Sequence, residues 1–208
     1  PAASRPWALV TPASRGIGLQ LARRILQTTN VPVVATARKD LDKVKEEILN
    51  GLRVDEKRLD VLRVDVLGTL PLSSPLPSSC RILYHVRQLT IYPLDESTIE
   101  SAAHHCTTRF PLKGSTPHHL HLSYLIPGLL FPEKSPRQIN ASDALLTFRT
   151  NALGPLLLIK HFSPFLPKKN QFFSTDADAL QGLPKQAVMA LMSARVGSIG
   201  DNSLGGWY

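Results

Sequence analysis

The sequence has few cysteines, few aromatic residues and no long apolar run, and each shortage closes off a class of protein. Its 208 residues include two cysteines, Cys80 and Cys106. Such a pair supplies neither a metal-type cluster nor the disulfide framework of a small secreted domain, so both are read as free thiols. No apolar stretch approaches the ~20 residues that a membrane-spanning helix needs, which excludes a helical membrane protein. The opening residues Pro1-Ala2-Ala3-Ser4-Arg5-Pro6 lack the apolar core of a secretory signal, and the expected location is the cytoplasm. Aromatic residues make up 6% of the chain and do not alternate with its scattered Lys and Arg residues. The formal charge of +8 therefore reads as a basic surface suited to a small phosphorylated partner, with no nucleic acid expected. His104, His105, His118, His119 and His121 follow no zinc spacing, and no cysteine or carboxylate is placed to complete a tetrahedron, so no metal is expected. The length suits one domain, residues 1–208, able to bury a full core.

What is present begins at Ala8-Leu9-Val10-Thr11, an apolar strand that runs through Pro12-Ala13-Ser14-Arg15 into Gly16-Ile17-Gly18 and a helix over 16–27 with Ile17, Leu21 and Ile25 on its apolar face. A strand, a glycine-bearing turn and a helix start form a phosphate cradle. The first helical N–H groups are unpaired, the dipole is positive there, and Gly16 and Gly18 allow close approach. A second strand over 31–38 ends in Arg38, with Pro32 tolerated at its beginning. In a doubly wound fold an arginine at that position accommodates the 2′-phosphate of NADP, where an acid would bind the 2′-hydroxyl of NAD. Arg15 and Arg38 together favour NADP.

The remainder alternates helix and strand. Asp40 is a candidate cap for a helix through Val44, Ile48 and Leu49 that stops at Asn50-Gly51. A third strand over 59–66 ends in Asp65-Val66, and helical patterning resumes at Asp95. Between them residues 68–94 are rich in Pro, Ser and Leu and have no period, which is unusual inside a compact domain. They read as an insertion, either a retained non-coding segment of the gene or a surface loop with its own strand over 89–92. A fourth strand is expected over 119–126, and then a helix over 143–165 capped by Asn140 or Ser142. Asn151 interrupts its apolar face and, if buried, needs a defined hydrogen-bond partner; a second reading has it bond the nearby backbone at a kink made by Pro155. Residues 171–185 read as a polar loop, and a fifth strand is expected over 187–196.

These motifs resemble the short-chain dehydrogenase/reductase family. Its first turn reads Thr-Gly-x-x-x-Gly-Ile-Gly, matched here from Thr11 to Gly18, with Pro12 in place of the first glycine. Pro12 also removes one backbone donor. The resemblance implies an α/β fold with a doubly wound, Rossmann-like parallel sheet in the order 3-2-1-4-5, incomplete on its C-terminal side. It implies cofactor contacts from Thr11, Ser14, Arg15, Gly16, Ile17, Gly18 and Arg38, with Asp65 and Val66 near the adenine. Thr150-Asn151-Ala152-Leu153-Gly154 resembles the family's Asn-x-x-Gly signature, in which the asparagine helps hold a water in a proton relay. Pro127-Gly128 keeps only the glycine of the family's Asn-Asn-Ala-Gly. Ser193 stands nearest to the catalytic serine, with Ser198 the other available hydroxyl. The family's Tyr-x-x-x-Lys does not occur, Tyr208 being the last residue of the sequence. The expected function is thus an NADP-dependent oxidoreductase acting on a small-molecule carbonyl or secondary alcohol. The alternative is a non-catalytic dinucleotide-binding module or partner subunit. An uncovered fifth strand would favour association, which leaves a homo-oligomer open.

Overall fold

Apolar runs of strand length alternate with amphipathic helices, and a computed structural model shows how they stack. It describes residues 3–66, 96–168, 180–194 and 197–200. The elements are β1 (Arg5–Thr11), α1 (Gly16–Thr28), β2 (Val33–Ala37), α2 (Leu41–Leu49), β3 (Leu59–Arg63), α3 (Glu96–Arg109), β4 (His118–Leu125), α4 (Ala141–Phe148), α5 (Gly154–Phe162) and β5 (Val188–Leu191). The strands form one parallel sheet in the order β3-β2-β1-β4-β5. Helices cover both faces, as β-α-β crossovers require. Ala22, Ile25 and Leu26 of α1 and Val44 and Ile48 of α2 pack on Ala8, Val10, Val33 and Ala35. On the other face Ile99 and Cys106 of α3 and Leu158 and Phe162 of α5 close over Trp7, Leu9 and Leu120. Trp7 anchors this second core, stacked on Phe110 with ring centroids 4.6 Å apart and edge-on to Phe165 at 5.6 Å. Burial raises the Cys106 thiol to about 12, so it stays protonated and inert at neutral pH. Cys80 and the insertion at 68–94, with its strand over 89–92, lie outside the described residues.

Element boundaries shift wherever a neighbouring strand sets them. The third strand ends at Arg63, because its ladder with β2 stops at Ala37↔Arg63; Val64, Asp65 and Val66 follow as an irregular stretch that is nonetheless buried. The fifth is only Val188–Leu191, since β4 ends at Leu125 and offers one last carbonyl, which accepts from Met192 N–H. β2 begins after Pro32. Asp40 stands before α2 but in the left-handed region at φ 53°, and its side chain makes no capping bond. Asn140, by contrast, caps α4 by accepting from the N–H groups of Ser142 and Asp143. The single helix expected over 143–165 is broken into α4, a π-helical turn at Arg149–Leu153, α5 and a 3₁₀ turn at Ser163–Phe165.

Two arginine and carboxylate groups tie the periphery together. Arg58 fills the gap between the end of α1 and the start of β2: its Nη1 donates to the Leu26 carbonyl at 3.3 Å, and its Nη2 to those of Thr29 at 2.5 Å and Val31 at 3.1 Å. Glu96 Oε1 accepts from Lys160 Nζ and His161 Nε2, each at 2.6 Å, and these bonds, that to Lys160 foremost, lower its pKa while linking α3 to α5.

Candidate functional site

The crevice lies where the chain leaves β1 in one direction and β4 in the other. In open α/β sheets this reversal of strand order leaves a gap beyond the strands' carboxyl ends. Here the gap is about 480 Å³ and is walled by Thr11, Pro12, Ser14 to Gly18, Arg38, Val64, Val66, the loop Ile126 to Leu129, Thr150 and Met192. The contributions come from the segments that follow the strands' C-terminal ends, from the first turn of α1 and from the π-helical turn.

The turn after β1 is held by its neighbours. Thr36 Oγ1 donates to Thr11 Oγ1 at 2.6 Å in a buried bond, Ala13 N–H donates to the Thr36 carbonyl, and Ile126 N–H donates to that of Thr11. The peptide bond Thr11-Pro12 is cis. The two glycines serve different purposes. Gly16 has φ +56°, and a Cβ there would meet open space. A Cβ on Gly18 would fall 1.9 Å from the Pro12 carbonyl oxygen. Gly18 thus lets the helix start pack against the turn, while Gly16 makes the left-handed bend into it. No side chain caps the N-terminus of α1 and no acidic residue stands in its first turn. The unpaired N–H groups of that turn and its positive dipole end remain open to an anion.

The positions singled out from the sequence divide between the crevice wall and its surroundings. Thr11, Ser14, Arg15, Gly16, Ile17, Gly18, Arg38 and Val66 line the crevice, with Arg15 and Arg38 exposed. Ile17 is 61% exposed, so it serves the crevice wall and not the core. Asp65 is buried behind that wall, and its backbone N–H donates to Thr98 Oγ1. Ser193 lies beyond the end of β5 and is exposed; its Oγ sits near the backbone of Gly197.

Asn151 is exposed rather than buried, because the π-helical turn rotates it away from the sheet. Its side chain is nevertheless firmly engaged. Oδ1 accepts from Leu129 N–H at 2.8 Å and Nδ2 donates to the Leu129 carbonyl at 2.7 Å, so one amide clamps both backbone polar groups of a single residue in the loop after β4. Gly154 N–H reaches back to the Arg149 carbonyl, and Pro155 has no N–H for the next one, which releases a carbonyl of this turn from the helix. Gly154 is needed for closeness: a Cβ there would lie 2.1 Å from Val66 Cγ1.

Asn151→Ala is expected to cost about 1 kcal/mol, because the Leu129 peptide can rehydrate once the clamp is gone. Urea unfolding would measure this, and faster amide exchange at Leu129 would locate it. Asn151→Asp, which keeps the acceptor and loses the donor, should fall between the two.

Thr150 was not among the residues singled out from the sequence. It is 4% exposed, lines the crevice, and its Oγ1 is buried with no hydrogen-bond partner among the described residues. A buried hydroxyl without a partner costs stability unless a ligand supplies one. The available signal was its spacing from Thr147, which puts both threonines on one buried helical face.

No family model and no curated protein matches the sequence. Solved structures do match. Sniffer of Caenorhabditis elegans, a proposed carbonyl reductase, superposes with a TM-score of 0.63 at 20% identity, over 97% of this chain and 68% of its own. The NADPH-bound carbonyl reductase from chicken fatty liver gives 0.53 at 24% identity, over 79% and 49%. A proposed short-chain dehydrogenase/reductase of Burkholderia multivorans with bound NADP gives 0.57 at 19% identity, over 96% and 63%. The fold is that of the short-chain dehydrogenases/reductases. Within this fold the crevice occupies the switch point between β1 and β4, and the present chain spans about half to two thirds of the length of these neighbours.

Proposed function

We propose that the chain binds NADP(H) in this crevice and is the dinucleotide-binding part of a short-chain reductase acting on a carbonyl or secondary alcohol. The observation that carries this reading is the pairing of an uncapped helix start with Arg15 and Arg38 in a wall that contains no carboxylate among the described residues. The residues fit the cofactor in three ways. The first turn of α1 takes the pyrophosphate on backbone N–H groups, Arg15 and Arg38 take the 2′-phosphate, and Gly18 keeps the turn close. NADP-bound neighbours of the same fold support the choice of cofactor. When bound, NADPH supplies the hydride.

Protonation of a carbonyl oxygen needs a donor whose pKa suits neutral pH. The described lining offers the hydroxyls of Thr11, Ser14 and Thr150, and no Tyr, His, Lys or carboxylic acid. This favours the second reading, a cofactor-binding module without turnover of its own. Calorimetric titration of the 208-residue chain with NADPH and NADH tests both. NADPH is expected to bind at least about tenfold more tightly, the worth of one charged hydrogen bond, and NADPH oxidation with small aldehydes and ketones should stay at background. Equal affinities would overturn the cofactor assignment, and robust turnover would overturn the module reading.

A further inference from the structure

Far from the crevice, at the opposite end of the sheet, four residues join in a buried polar chain. Ser4 Oγ lies 2.9 Å from His119 Nδ1, His119 Nε2 lies 3.0 Å from His121 Nδ1, and His121 Nε2 lies 2.8 Å from the Pro184 carbonyl oxygen. Ser4 and His119 are fully buried and His121 is 1% exposed. The β1–β4 register explains how alternate histidines come into line. Trp7 pairs with Leu120 and Ala8 with Leu122, so His121 is the extra residue of a bulge.

The direction of every bond follows from its last acceptor. A carbonyl oxygen only accepts, so His121 Nε2 carries the proton. In a neutral ring Nδ1 is then bare and accepts from His119 Nε2–H, which leaves His119 Nδ1 bare to accept from the serine hydroxyl. Both rings are neutral in this arrangement. A proton added to His119 Nδ1 would reverse the bond to Ser4, whose hydroxyl oxygen can also accept, but it would place a charge in a fully buried site beside a second buried imidazole, and that burial opposes it.

We propose that Ser4, His119, His121 and Pro184 form an acid-sensitive latch that holds the start of edge strand β5 onto β4. The chain joins the entry to β1, the bulge of β4 and the turn just before Val188. That turn is seated closely: Gly182 has φ +74°, and a Cβ there would lie 2.1 Å from the Thr28 carbonyl oxygen at the end of α1. Past the latch, β5 is the sheet edge among the described residues, with Val188, Leu191 and Met192 at 37%, 48% and 53% exposure. His121 and His118 act electrostatically on His119, and His118 in turn feels Arg5 and Arg109. Burial first, then the charges of His121 and His118, lower His119 from 6.5 to about 4. The native state therefore binds fewer protons than the unfolded chain across that interval. The latch contributes fully to stability above about 6.5, and that contribution is lost progressively as pH falls toward about 4, where the folded ring itself takes up the proton.

The test compares the full chain with the double variant His119→Leu/His121→Leu by urea unfolding at a series of pH values. Amide exchange over residues 182–192 is followed in the unmodified protein. Between about pH 6.5 and 4 the folding equilibrium of the unmodified chain should fall more steeply than the variant's, by up to about tenfold per pH unit for the proton taken up at His119. The amides ahead of and within β5 should lose protection before those of β1. Parallel pH profiles in the two proteins overturn the latch. So does undiminished protection of 182–192 in acid, after correction for intrinsic exchange. If the double variant does not fold, ring nitrogen resonances of the unmodified protein decide: a neutral His121 protonated on Nε2 supports the chain, and one protonated on Nδ1 excludes it.

Discussion

Gly18→Ala is expected to lower stability by about 3 kcal/mol and to abolish dinucleotide binding. The new Cβ would stand 1.9 Å from the Pro12 carbonyl oxygen, 3.0 Å from its carbon and 3.1 Å from Ala13 Cα. All three are backbone atoms, so no rotamer change relieves the clash and the turn or the helix must move as a unit. The turn is itself pinned by Ala13 N–H on the Thr36 carbonyl and by the Thr36–Thr11 hydroxyl pair, which resist that movement. Gly16→Ala is the natural control. It meets no atom and pays only for a positive φ, about 1 kcal/mol. Urea unfolding of the two variants beside the parent would check the ordering; a Gly18→Ala protein as stable as Gly16→Ala would show that the turn is not packed as described.

Arg38→Asp is expected to reverse cofactor preference. Loss of a charge-assisted hydrogen bond to the 2′-phosphate removes about 1.5 to 3 kcal/mol from NADPH binding, and the new carboxylate would repel that phosphate. The same carboxylate accepts hydrogen bonds from the ribose hydroxyls of NADH. Arg38 is exposed, so the lower end of the range applies to the lost bond, and the preference should shrink as salt is raised. Titrations of parent and variant with both cofactors at low and moderate ionic strength measure this. An Arg38→Asp chain that still favours NADPH would move the 2′-phosphate away from Arg38.

Much of the architecture was legible because its causes are local. The run Ala8 to Thr11, the turn and Gly16 signal strand, bend and helix within a few residues, and the structure places them so. Leu59 to Arg63 was legible for the same reason. The extension of that strand to Val66 was not, since apolar residues that bury themselves beyond a ladder look the same in sequence as residues within one. The crevice wall was legible where one segment carries it, as in the turn from Thr11 to Gly18. Thr150 was missed because its importance lies in what its hydroxyl lacks, which no residue pattern expresses. The histidines between His104 and His121 read as incidental, because a relay that begins at Ser4 and ends at Pro184 has no spacing to detect.

By itself the sequence determined the alternation of strands and helices, the glycine-bearing turn after β1 and the basic character of the crevice. Hydrophobic period, glycine conformation and side-chain charge are properties of short stretches and survive whatever the rest of the chain does. Only the tertiary structure decided where strands end, that Asn151 spends its amide on Leu129, that Gly18 answers to Pro12 and Gly154 to Val66, and that His119 and His121 share a proton-ordered chain. Each of these depends on two groups brought together by the sheet's parallel crossovers, and a hydrogen bond or steric contact exists only once both partners have been placed.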